Sequence, residues 1–211
     1  MSYSDIIRMG SGAINTVNDT VVGGVPNLPS TTTSMVSGQL GKEIDLDDSQ
    51  LIYDSTMGTV FGGTFRYVRL SASASAVVVG QIVFWDISVA DNLYQVTTSE
   101  AGSTTGAQFQ AGIVLNSDWD AGNYSFIQTV GPTDVKFRTT LTSAGAVGMG
   151  VYCAAAGAGV DNGFADCISS ANPTLFSDVV LMQNRWIGAA IELPTNGGLT
   201  LVNVNLKNRR G

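Results

Sequence analysis

Four carboxylates crowd one short stretch of the chain: Glu43, Asp45, Asp47 and Asp48 in KEIDLDDSQ. Two carboxylates facing each other on a β scaffold are the equipment of glycoside hydrolysis, one as acid and the other as base or nucleophile. These four fall in a stretch that reads as an arm and not as a cleft. A solvated acidic turn, or a docking patch for a partner's basic residues, is the plainer reading. A second acidic stretch, DWDAGN at Asp118–Asn123, partly matches a calcium loop. Gly122 stands fifth and Thr129 twelfth, where an EF-hand needs Gly sixth and Glu twelfth. It reads instead as a turn with Trp119 packed beside it. Gly145–Gly150, GAVGMG, lacks the Lys-Ser/Thr ending of a phosphate loop and also reads as a turn.

The chain has 211 residues and no histidine. That removes the commonest general base and the commonest metal ligand, and with them any Ser-His-Asp or Cys-His arrangement within one chain. Two cysteines, Cys153 and Cys167, cannot fill a zinc site by themselves. If they face each other across two strands they could form a disulfide; the alternative is two reduced, buried, small apolar residues. Trp85, Trp119 and Trp186 read as core or subunit contacts; a sugar platform would need them exposed and coplanar. The sequons at Asn18 and Asn123 carry no meaning without secretion. No catalytic, cofactor-binding or metal-binding residue is assigned, and the chain is expected not to be an enzyme.

Charged residues make up 13% of the chain, about half the usual share of about 25%. Faces poor in charge and rich in Thr, Ser and Val suit burial against other subunits, because few ions are desolvated. The formal net charge of −7 repels phosphate backbones, so nucleic acid is not an expected partner. The basic cluster Lys207, Arg209 and Arg210 reads as a solvated terminus or as a tether to an acidic neighbour. MSYSDIIRMGSG lacks the basic start and apolar core of a signal peptide, and no apolar run approaches a membrane span. Synthesis in a cytosol and no membrane partner are the expectations.

Residues 1–60 read as an extended N-terminal arm. Pro26, Pro29 and several glycines break any regular element across Val21–Gly41, and the Ser/Thr run after them has no period. Such a stretch makes sense if it lies on a neighbouring subunit and folds there. Residues 61–211 read as one all-β body, a β-barrel or jelly-roll-like β-sandwich. Strands are expected over 64–70, 77–85, 93–98, 108–115, 124–130, 135–141, 150–155, 164–169, 186–193 and 199–206. VVVGQIVFW within Val77–Trp85 is nearly continuous in apolar residues, the mark of a strand buried on both faces. Val135–Leu141 alternates, with Val135 and Phe137 on one side and Lys136 and Arg138 on the other. Asn172–Asn184 is the one plausible helix, with Pro173 where helices accept it.

One pattern is more specific. Gly112-Ile113-Val114-Leu115, then Gly122-Asn123-Tyr124-Ser125-Phe126-Ile127-Gln128, then Ile187-Gly188-Ala189-Ala190 and a final hydrophobic strand occur in that order. This order resembles the small β-barrel decoration, or cement, proteins of tailed-bacteriophage capsids, over about residues 65–206. The resemblance implies a structural virion protein on the outer capsid surface. It would bind the major capsid protein and stabilise the head as a homotrimer, with the arm as a clamp. Another virion component (a head fibre, tail or minor coat protein) and a carbohydrate- or receptor-binding module are the alternatives.

Overall fold

In a computed structural model, residues 40–48, 61–86, 94–98, 109–117, 119–154, 162–167 and 185–206 are described. The expected helix at Asn172–Asn184, the basic residues Lys207, Arg209 and Arg210, and most of the arm lie outside them. The described residues form β1 (Glu43–Leu46), β2 (Gly63–Leu70), β3 (Ile82–Trp85), β4 (Gln95–Thr97) and β5 (Gln110–Val114). They continue with β6 (Tyr124–Lys136), β7 (Gly150–Cys153), β8 (Ala165–Cys167), β9 (Trp186–Ala190) and β10 (Leu199–Asn205). The all-β body is as expected.

The strands close into two rings. The first runs β2–β4–β3–β5–β6 and returns from β6 to β2, with β2–β4 its parallel pair. The second runs β6–β10–β9–β7–β8. A parallel bridge between Phe137 and Ala165, with Arg138 N–H donating to the Ala165 carbonyl at 3.0 Å, brings β8 back to the end of β6. Closure satisfies strand edges that would otherwise present unpaired backbone groups.

β6 belongs to both rings. Its residues 124–130 pair with β2 and its residues 130–136 with β10. The sequence predicts two separate strands here, over 124–130 and 135–141. One strand runs through instead. Gly131 takes φ +109°, a value only glycine adopts without strain, and the strand bends there while keeping its ladder. A side chain at Gly131 would also meet the Gly62 carbonyl at 2.7 Å. Beneath the bend Gln128 is fully buried, and its amide N–H group faces the carbonyls of Val130 at 3.3 Å and Pro132 at 3.1 Å.

Two cores follow from the two rings. Val68, Leu70, Val83, Trp85, Val96, Val114, Trp119 and Ile127 fill the first. Val135, Phe137, Val151, Cys153, Ala165, Ile187, Val202 and Val204 fill the second, joined by Ile82, Phe84 and Ile113 from the outer side of the first ring. All four residues of β3 are therefore buried, Val83 and Trp85 in one core and Ile82 and Phe84 in the other. Each such side chain contributes about 1.5–3 kcal/mol. This is the physical origin of the continuous apolar run. The strand is shorter than expected, because Val78–Gln81 forms a turn in front of it.

The acidic run was placed in the arm. Glu43–Leu46 is instead strand β1 of the body, antiparallel to β2 and burying Ile44 and Leu46. β1 covers residues 63–66 of β2, and β4 covers residues 69 and 70. The two short strands abut where Gly41 meets the Tyr94 ring.

Candidate interaction surface

Each member of the acidic run that reaches a partner reaches one in its own molecule. Glu43 forms an ion pair with Arg66 of β2. Asp45 accepts a hydrogen bond from the Thr64 hydroxyl at 2.6 Å, and Asp48 accepts one from the Gly62 N–H. The first part of the run is thus strand and not turn, and Glu43 and Asp45 fasten β1 to β2, with Asp45, Asp47 and Asp48 exposed. Arg66 is only 3% exposed, and its guanidinium also lies 5.5 Å from the centre of the Trp85 ring.

The other sequence candidates fall in similarly structural places. Asp118 lies outside the described residues. Asp120–Asn123 is a turn closed by Asn123 N–H onto the Asp120 carbonyl, with Gly122 at φ +84°. Trp119 is buried beside it and donates its indole N–H to the Asn123 carbonyl at 3.0 Å. Gly145–Gly150 forms a tight turn at Ala146–Met149, again with a left-handed glycine, Gly148. Among the described residues no three acidic or cysteine side chains converge as metal ligands would.

Cys153 and Cys167 form no disulfide and are buried on adjacent strands. Their register is offset by two, Cys153 opposite Ala165 and Cys167 opposite Val151. They are diagonal neighbours, about 7 Å apart at the backbone, which is wider than a disulfide spans with ease. Burial, then the charge of the adjoining Asp166, pushes the Cys167 thiol up to about 11.

Sequence reasoning missed Asp166. Its carboxylate is 3% exposed, accepting from Arg138, from the Thr142 hydroxyl and N–H, and from the Cys167 N–H at 2.8 Å. It clasps the loop after β6 to β8. No local pattern marks it, since its partners lie 24 and 28 residues away.

Among the described residues, several large apolar side chains stay exposed. Val147 is 65% exposed, Leu193 59%, Leu199 44% and Ile191 41%. Backbone bonds bring the segments that carry Val147 and Ile191 together at one end of the second ring, with Leu193 and Leu199 next along the chain on the β9–β10 side. Gly148 N–H donates to the Ala190 carbonyl at 2.8 Å, Ala190 N–H to Met149, and Ile191 N–H to the Leu201 carbonyl. Leu199 lies over Gly80, which brings the exposed Val78 alongside. Across 145–149 and 191–199 the only charged residue is Glu192. Exposed apolar groups are ordinary when scattered; gathered on one rim they mark a place where another molecule sits.

Comparison of the chain with protein-family models, with curated proteins and with solved structures gave no match in any of the three.

Proposed function

We propose that this chain is a non-catalytic structural subunit of a tailed-bacteriophage head. In this reading it binds the outer surface of the coat lattice and stabilises the shell as a homotrimer. Three things support the reading: the order of motifs from Gly112 to Ala190, the scarcity of charge, and the rim of Val147, Ile191, Leu193 and Leu199. The rim is the observation that carries it. A subunit buries such a rim on assembly, where the core of an interface is depleted in charge and packed like a protein interior.

Burial of such a rim stabilises contact by apolar transfer, at about 25 cal/mol per Å². Each copy adds a modest amount, and many copies on one closed shell make release of any one slow. The β-clasped carboxylates and the buried Asp166 leave few charges to desolvate when the surfaces meet.

The test is co-sedimentation with undecorated heads, together with sedimentation velocity of the free protein. The expected result is a trimer that pellets with heads in hundreds of copies per particle. Leu193→Glu and Val147→Glu should stay folded and lose pelleting by at least about ten-fold, since a buried charge costs more than 1.4 kcal/mol. Pelleting of both variants at the native level would sink the reading.

A further inference from the structure

The outer side of the second ring holds a feature that the rim does not account for. β7, β9 and β10 lie side by side, and the register places Tyr152 opposite Trp186, and Gly150 opposite Ala189, which is opposite Asn203. Tyr152 and Trp186 are half-buried and Asn203 is exposed, so all three present atoms outward. The Tyr152 ring does not stand away from the sheet. It leans back along its own strand over Gly150, where a Cβ would lie 2.9 Å from the hydroxyl and 3.2 Å from the ring. Glycine at 150 is what leaves room for the ring there, and the ring stays half-exposed.

The result is a shallow trough. Tyr152 on β7 forms one side, Trp186 and Ala189 on β9 the floor, and Asn203 on β10 the other side. With strands about 4.8 Å apart, Gly150 and Asn203 are about 10 Å apart, room for one sugar ring in van der Waals contact with both sides. None of the side chains lining it is charged. Nearby charges are engaged elsewhere: Asp166 by its four donors, the Arg185 guanidinium by the Ala154 carbonyl at 3.0 Å, and Lys136 by the Gly197 carbonyl at 2.7 Å.

From this geometry we infer that the trough is a binding site for a neutral saccharide. The face of an aromatic ring carries negative charge density and attracts the weakly positive C–H edges of a pyranose. The carboxamide offers both a donor and an acceptor to vicinal hydroxyls. A neutral, flat, mostly apolar floor with one amide at its edge favours an uncharged sugar over an acidic one, because no cation lines it. This site adjoins the rim but is built from other residues, and its occupancy does not depend on a capsid role.

The test uses the full chain with nitrogen-15 in its tryptophans. Hexasaccharides of glucose, of galactose and of N-acetylglucosamine are titrated in turn, each to about 10 mM, a range suited to weak single-site binding. The expected result is a saturable shift of the Trp186 indole N–H signal, assigned through Trp186→Phe, for at least one sugar. The buried Trp85 and Trp119 signals should stay in place and report an intact fold. Tyr152→Ala should weaken binding about ten-fold, while Tyr152→Phe, which keeps the ring, should stay within about two-fold. If Tyr152→Ala unfolds, Gly150→Val lifts the ring off the sheet and serves the same purpose. Val147→Glu should leave sugar binding unchanged, which separates this site from the rim. No Trp186 shift with any of the three sugars would overturn the inference. So would a shift that survives both Tyr152→Ala and Gly150→Val.

Discussion

Arg66 carries a full charge into the seam between β1 and the first core, where Glu43 neutralises it and Trp85 lies against its flat side. Removing one member of such a pair leaves the other desolvated and alone. Arg66→Met is expected to cost about 2–3 kcal/mol, less than a wholly buried pair because Glu43 is partly exposed. The double variant Arg66→Met/Glu43→Leu should recover part of that loss, as the coupling term of a urea-denaturation cycle. Cys167 makes a different prediction. Its thiol titrates near 11 in the native protein against 9.0 when free. Between those values the unfolded chain loses a proton that the native one keeps, so stability falls as pH rises from about 9 to about 11. Cys167→Ala should flatten that fall in thermal melts across the same range. The wild-type thiol should also resist alkylation at neutral pH until the protein unfolds.

At the scale of elements, β3 and β10 were readable for opposite reasons. Both sides of β3 meet a core, which leaves an unbroken apolar run; one side of β10 meets solvent, which leaves Asn203 and Asn205 alternating with Val202 and Val204. β1 was not readable. Its only apolar residues are Ile44 and Leu46, set among acids whose partners on β2 are 19 and 23 residues away. β6 spans the gap between the strands expected over 124–130 and 135–141, a gap that holds Gly131 and Pro132, residues that ordinarily interrupt strands. The tertiary setting overrides them: β2 holds one end of the strand and β10 the other. Gly131→Ala should therefore be costly, about 2–4 kcal/mol, from the positive φ and from the approach to Gly62. A lowered urea midpoint would show it. Gly122→Ala offers the contrast, since its Cβ meets nothing within 4 Å, and only the backbone term of about 1 kcal/mol remains. The surface was less legible than the fold. Val147 and Leu193 look like ordinary turn residues until backbone bonds place them on one rim, and the Tyr152–Trp186 pair depends on a register between strands with a bulge in it.

On the scale of the whole molecule, composition and architecture agree. With no histidine, the side chain that ordinarily titrates between about pH 6 and 8 is missing, so melting temperature should hold nearly level there. Contacts made through the rim should be correspondingly indifferent to salt. In the proposed role, pelleting with heads should change less than about two-fold between about 0.05 and 0.5 M salt, where contacts between exposed charges would weaken strongly. The rings also impose a calendar on the nascent chain. Every strand of the first ring other than β6 lies before it in the sequence, and every strand of the second lies after it. As the polypeptide emerges from the ribosome, arrival of β6 completes one barrel, and the free half of that same strand then stands ready as the template for the next. A truncated product ending at Lys136 would own a closed first ring with Ile82, Phe84 and Ile113 bare on its outside, a sticky intermediate that only the remaining synthesis can cover.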